Sequence, residues 1–395
     1  MNDKILNAIN PRELGRKLRL ARERRGMRQE DAANVIGVAR TTLVAIEKGE
    51  RRIRPDELVK LALEYGRDVS DFVRGMQYGE LFTEPQFRGP EQYEDEEDAQ
   101  IEQWIEMLKE LSYDYYEYEQ MLDAPLVRKY PPEYEVGNLK PEEIGENIAL
   151  EERQRLGLGD RPIPVLRDLL EQEVGLRIYY LPLKPPKYSE IYIYSDQIGG
   201  CFAVNSQHPE DRGRLSLAHG YGHFLTSRYK PMLYIEGIYP RYSKGEQIAN
   251  HFAYQFLMPT TGITRRFNDI RRTKSKVTPY DLVDLAHYFG VSFEALCIRL
   301  EGLRLIPAGM LNNLKEQGIK VREVQQSLGL GGIPGNRQRL PRRHQFLAAE
   351  ALEQELITEG RFAHLLEVDR LEARSIFEAL KGGHLSFSED RAGDD

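Results

Sequence analysis

His219 and His223 stand four residues apart in Leu217-Ala218-His219-Gly220-Tyr221-Gly222-His223-Phe224-Leu225. On a helix, positions i and i+4 share a face, so both imidazoles can reach one zinc ion. In an H-E-x-x-H motif the residue after the first histidine is a glutamate, which takes a proton from zinc-bound water and passes it to the leaving group. Here that position is Gly220, which has no side chain for the task. The spacing predicts a metal site with its ligands intact and its general base absent.

The surrounding pattern must hold these residues in place. A helix beginning near Glu210 carries both histidines, and a second follows with Glu246, Ile248, Ala249, Asn250, Phe252, Ala253, Phe256 and Leu257, stopped by Met258-Pro259. Upstream, 148–156 and 163–174 read as helices, and 176–180, 191–194 and 199–205 as strands. Downstream, 277–289 and 292–303 read as helices around Gly290-Val291.

The chain has 395 residues, which sets an expectation of two or three domains. Hydrophobic residues make up 41% and charged residues 30%, a balance that argues against both disorder and membrane residence. The first residues lack the layout of a signal peptide, and no apolar run is long enough to span a bilayer, so the expected location is cytoplasmic. Cys201 and Cys297 form no CxxC pair, which argues against a disulfide framework or a thiolate zinc site and leaves two buried free thiols as the expectation. The net charge of -8 conceals a segregation. Residues 1–74 carry 17 basic against 12 acidic side chains, whereas 91–124 carry one lysine against 13 acids. A basic head with an acidic neck points to nucleic-acid contact at the head.

In the head, Leu14, Leu18 and Ala21 give a helical stripe closed by Gly26, and short helices follow at 29–36, 40–48, 55–65 and 69–74. The break at Gly37-Val38-Ala39 is a tight turn of the helix-turn-helix kind. Gln29-Glu30-Asp31-Ala32-Ala33 together with Ile46-Glu47-Lys48-Gly49-Glu50-Arg51 resembles the Xre/Cro-type DNA-binding domain. The resemblance implies that the third helix enters the major groove of a double-stranded operator. Arg40, Thr41, Thr42 and Ala45 would then face base edges, with Gln29, Arg28, Lys48, Arg51 and Arg52 near phosphates.

Between head and body, 75–144 reads as a linker followed by an acidic heptad helix, with Ile101, Trp104, Leu108, Leu111, Tyr115, Tyr118 and Leu122 on one seam. Repulsion among its carboxylates favours packing on the same chain over a homodimer, and a third option is competition with DNA for the basic head. Past residue 306 the glycines at 329, 331 and 332 and the basic run 337–343 read as a mobile linker. A small helical module follows at 347–356, 360–366 and 372–380, with a disordered tail at 386–395, giving 307–395 as the last region.

The order of pieces over 145–306 resembles the ImmA/IrrE family of zinc metallopeptidases, through Asn205-Ser206 with Arg212 and Arg214, the segment from Ala218 to Phe224, and Glu246 through Pro259. The resemblance implies His219, His223 and Glu246 as zinc ligands, with a fourth place for water. It also implies a regulator that cleaves a repressor or similar protein in a stress or phage-defence response. Gly220 would reduce such cleavage to a trace, since acid–base help is typically worth ~10²- to 10⁴-fold. A silenced protease and a natural pseudo-enzyme both fit, the latter a repressor or antitoxin-like protein that uses the zinc fold as sensor or scaffold. Glu236 and Glu210 are the other acids considered for the base, and neither has a spacing that reaches the histidines. The expected fold is multidomain and mainly α with a small β-sheet: an all-α head, an α+β zincin-like body and a helical C-terminal module.

Overall fold

The computed structural model describes residues 11–67, 69, 72, 82, 95–230, 232–235, 243–274 and 276–388. Most of the helix expected at 69–74, most of the linker before residue 95, Glu236 and the tail from 389 lie outside the described residues. These residues form two compact units. One draws on 11–82, 109–125 and 342–388, the other on 95–108 and 126–341. Among the described residues no helix is long and apolar enough to cross a membrane.

In the first unit the head consists of α1 (Pro11–Arg24), α2 (Gln29–Ile36), α3 (Arg40–Glu47) and α4 (Pro55–Tyr65). Leu14, Leu18, Ala33, Ile36, Leu43, Ile46, Leu58 and Leu61 close a small apolar core between them. Gly37 caps α2 at φ 70, the left-handed conformation that lets the chain turn at once into α3. The acidic helix is α5 (Asp95–Met121), longer at its start than the heptad pattern indicates. Its seam runs through Ile101, Ile105, Leu108, Leu111, Tyr115 and Tyr118, with Ile105 buried where the pattern has the half-buried Trp104.

The cover over the second half of that seam comes from the same chain. Tyr115 stacks on His344 with centroids 4.7 Å apart, Arg343 donates to Glu119 at 2.9 Å, and Arg361 donates to Asp114 at 3.0 Å and Glu117 at 2.5 Å. Self-packing thus answers both the apolar stripe and the carboxylate repulsion. The C-terminal helices are α15 (Arg342–Glu353), α16 (Glu359–Leu366) and α17 (Arg370–Ser388). The last of these extends to Ser388, past the point where the composition suggests disorder.

The second unit is built on a four-stranded sheet with order β1-β3-β2-β4: β1 (Arg177–Leu181), β2 (Tyr188–Ser195), β3 (Gly199–Asn205) and β4 (Met232–Ile235). β1 and β3 are parallel, and β2 runs antiparallel to both β3 and β4. Around the sheet lie α6 (Pro141–Arg155), α7 (Leu166–Leu169), α8 (Glu210–Ser227), α9 (Lys244–Leu257), α10 (Thr260–Thr273), α11 (Pro279–Phe289), α12 (Phe293–Gly302), α13 (Met310–Glu316) and α14 (Val321–Ser327). The fold is mainly helical with a small sheet.

Three local readings need correction. Residues 163–174 do not form one helix: Pro164 delays the start to Leu166, and the last turn opens into a π-turn at Leu170–Val174. The supposed linker after 306 contains α13 and α14, because Leu311, Leu314 and Val324 bury apolar faces despite the glycines around them. β4 is absent from the expected strands: the apolar run Met232-Leu233-Tyr234-Ile235 is only four residues long, and pairing to β2 makes it a strand.

Candidate metal centre

α8 is fixed by what flanks it. Tyr221 points away from the histidine face, donates to Glu152 of α6 at 2.7 Å and accepts from Arg155 at 3.2 Å, while Tyr134 donates to the other oxygen of Glu152 at 3.0 Å. Residues of the resembling motif act as staples. The Asn205 amide donates to the carbonyls of Leu183 and Tyr188 at 3.0 and 2.7 Å. The buried Arg214 guanidinium donates to the carbonyls of Gly290, Pro164 and Ile163 at 2.9, 3.0 and 2.6 Å. Each replaces water on backbone groups that would otherwise be buried unpaired.

Gly222 lets α9 come close. A Cβ there would lie 3.0 Å from the Phe252 ring and 3.2 Å from the Cα of Ala249. Ser243 caps α9 by accepting from the Glu246 N–H at 3.3 Å, which orients the first turn and its carboxylate. The outcome is a cluster in which one ligand atom each from His219, His223 and Glu246 lies within 4.8 Å of the others. The Glu246 oxygens sit 3.2 Å from Nε2 of His219 and 3.2 Å from Nε2 of His223. Burial alone would raise the Glu246 carboxyl, but the two imidazoles bonded to it outweigh burial and hold it below the usual carboxylate range. Burial lowers His219, with Glu246 opposing, and so favours the neutral, ligating form.

These residues fit a divalent ion. Two imidazoles and a carboxylate are a donor set suited to zinc, and a second acid, Glu190 of β2, is buried nearby at 1% exposure with no hydrogen-bond partner on either oxygen among the described residues. A cation would compensate the charge of the Glu246 carboxylate. Burial, with the Glu246 charge adding to it, holds the Glu190 carboxyl well above its ordinary range.

Gly220 sits directly against Glu190. A Cβ built on Gly220 would fall inside that carboxyl group, whose more distant oxygen would be 2.7 Å away. Reading along the chain misses Glu190, because its strand is recognised only over 191–194. The signal was period two: in Tyr188-Ser189-Glu190-Ile191-Tyr192-Ile193-Tyr194, the acid shares a face with Tyr192, whose ring is set edge-on to Phe224 of α8 with centroids 6.2 Å apart. Glu210 starts α8 nine residues before His219, about 13 Å along the axis, and lies 3.7 Å from Arg337.

In the head, Arg40, Thr41, Lys48, Arg28 and Arg52 are exposed, and Thr42, Ala45, Gln29 and Arg51 are half-buried. The Arg40 guanidinium donates to Gln29 at 3.2 Å, and Gln29 donates to Glu47 at 3.0 Å, so α2 and α3 share one polar strut. Arg51 is committed within the chain, donating both arms to Glu57 at 3.0 and 2.9 Å.

Residues 171–301 match the IrrE N-terminal-like domain. Residues 18–72 match the helix-turn-helix family. The chain thus joins an Xre-type helix-turn-helix head, the DNA-binding part of a regulator, to an IrrE-like, peptidase-like body. No curated protein matches the chain. Among solved structures, PlcR of Bacillus thuringiensis in complex with the peptide PapR7 and DNA is 13% identical, with 97% of this chain and 100% of that one covered and a TM-score of 0.17. ComR from Streptococcus suis is 12% identical over 94% and 96%, with a TM-score of 0.16. Superpositions this poor transfer neither arrangement nor ligand to the IrrE-like body.

Proposed function

We propose that this chain is a DNA-binding regulator whose IrrE-like body holds a zinc ion through His219, His223 and Glu246 in a peptidase architecture that would cleave a protein partner, such as a repressor, within a stress or phage-defence response, with Gly220 standing where the helix would carry its general base. The observation that carries the reading is the gathering of three ligand atoms from α8 and α9 within 4.8 Å, in a buried place stapled from behind by Tyr221 and Glu152. Zinc held there supplies Lewis acidity toward a carbonyl. The chain's own residues do the rest: α8 fixes both imidazoles on one face, Ser243 orients the Glu246 carboxylate, and burial keeps His219 neutral. The head, through Arg40, Thr41, Thr42 and Ala45 at bases and Arg28, Lys48 and Arg52 at phosphates, would hold the body near an operator-bound partner and so raise its local concentration.

Gly220 favours a second reading, in which the IrrE-like body is a non-catalytic sensor or scaffold of a repressor or antitoxin-like protein. The test of the metal site comes first. We expect the full chain to bind about one zinc per chain and the His219→Ala/His223→Ala variant to bind none, measured by elemental analysis after dialysis. Equal zinc in both proteins would remove the site and the peptidase reading with it.

A further inference from the structure

The chain has no acid at position 220, yet the space beside that position is filled by one. We propose that Glu190 of β2 supplies the proton-accepting carboxylate that α8 does not, acting on the attacking water at the His219, His223 and Glu246 cluster. This rests on the peptidase reading above and concerns the same site.

The geometry is one of mutual exclusion. A Cβ on residue 220 would overlap the Glu190 carboxyl, so a side chain at 220 and the observed Glu190 rotamer cannot coexist. The carboxyl therefore occupies the volume into which a glutamate at 220 would begin to extend. No hydrogen bond or ion pair among the described residues gives it a structural task, since it is 1% exposed and neither oxygen has a partner there. An acid retained for packing or for an ion pair would have a donor beside it, as Glu152 and Glu47 do.

Its backbone is well fixed, opposite Val204 on one side and Tyr234 on the other. The β2–β4 register shifts between Tyr188 and Glu190, an irregularity of the kind that re-aims a strand side chain. Alternation along β2 turns Glu190 to the same side as Tyr192, which packs toward α8. Among the described residues the ligand cluster comprises His219, His223 and Glu246, and Glu190 stands outside it. Its carboxyl thus lies against the ligand-bearing helix at Gly220 without joining the ligand set.

The step balances with water and the peptide alone. The Glu190 carboxylate accepts a proton from water as the water oxygen bonds to the peptide carbonyl carbon and the carbonyl π pair moves onto oxygen. When that pair returns, the C–N bond breaks, and the proton held by Glu190 goes to the departing amine nitrogen.

The test uses the full chain in three forms: wild type, Glu190→Gln, and the exchanged pair Gly220→Glu/Glu190→Ala, which moves the acid back to the helix while clearing its space. Each is read by zinc content, by cleavage of unfolded casein, and by pH titration of the visible spectrum of the Co(II)-loaded protein. We expect Glu190→Gln to keep its zinc, to lose about 10²- to 10⁴-fold in cleavage, and to shift the Co(II) titration, with the exchanged pair recovering cleavage. Loss of zinc in Glu190→Gln would make Glu190 a ligand and overturn the proposal. Wild-type cleavage with an unshifted titration in Glu190→Gln would overturn it too. If the wild type and the exchanged pair bind zinc and cut nothing, the peptidase reading fails. The titration then decides alone, a shift in Glu190→Gln placing its carboxyl at the water and no shift removing it.

Discussion

Glu47 in the head and Glu190 in the IrrE-like body are both glutamates withdrawn from solvent, at 6% and 1% exposure, and they are treated in opposite ways. Glu47 accepts from Arg22 at 2.6 and 3.2 Å and from Gln29 at 3.0 Å. Glu190 has no donor among the described residues and lies against a glycine. A buried charge that is fully paired ties elements together and has nothing left to offer a ligand, whereas an unpaired one burdens the fold and is available for chemistry. The contrast separates a structural acid from a candidate functional one without any appeal to motif.

The largest expected effect breaks the paired side of that contrast. Glu47→Ala leaves the Arg22 guanidinium, 7% exposed, facing an empty partner, and should destabilise the head by about 3–5 kcal/mol, read by chemical denaturation of the full chain. A loss below about 1 kcal/mol would mean that Arg22 finds water or its other acceptors, the Met27 carbonyl and the Glu23 carboxylate, sufficient.

Next come two arginines of the same head. Arg40→Ala should weaken operator binding by about 1–3 kcal/mol in an anisotropy titration while leaving the unfolding midpoint in place. Arg51→Ala should lower the midpoint instead, because both its arms serve Glu57. Reversal of the two outcomes would exchange their roles.

A smaller effect sharpens the contrast through pH. Burial would raise Glu57, but hydrogen bonds from Arg51 and the Arg54 N–H outweigh it, so its folded value lies below the ordinary 4.5. Its stabilisation is present above 4.5 and is lost as pH falls through the folded value. Glu190 is raised, so its contribution has the opposite sign: metal-free stability is fullest below 4.5 and declines as pH rises toward the folded value. Glu57→Gln should therefore flatten the acid limb of the stability curve, and Glu190→Gln the limb above 4.5, both followed by thermal midpoints of the metal-free protein. Parallel curves for the two variants would erase the distinction.

The smallest effect concerns the thiols. Cys201 and Cys297 are both buried, and burial pushes Cys297 up to about 12. A thiol reagent at pH 8 should label neither in the folded chain and both after denaturation. Labelling of Cys297 in the folded chain would show that α12 opens.

Local sequence determined a good deal here. The period of three to four in α1 to α4, the Gly37 turn and the i, i+4 histidines state their structure within a few residues, because helices are made from near neighbours and their caps. The strand over 199–205 and the α9 stop at Met258-Pro259 are legible for the same reason. Tertiary structure alone decided which side chains meet. It put Glu246 of α9 against both imidazoles by way of Gly222, gave Arg51 to Glu57, covered the acidic seam with Arg343 and Arg361 from more than two hundred residues away, and set Glu190 against Gly220. Gly220 read alone is a missing base, and only the β2 register turns it into half of a pair, since a contact between a strand and a helix thirty residues apart leaves no periodic trace in the sequence.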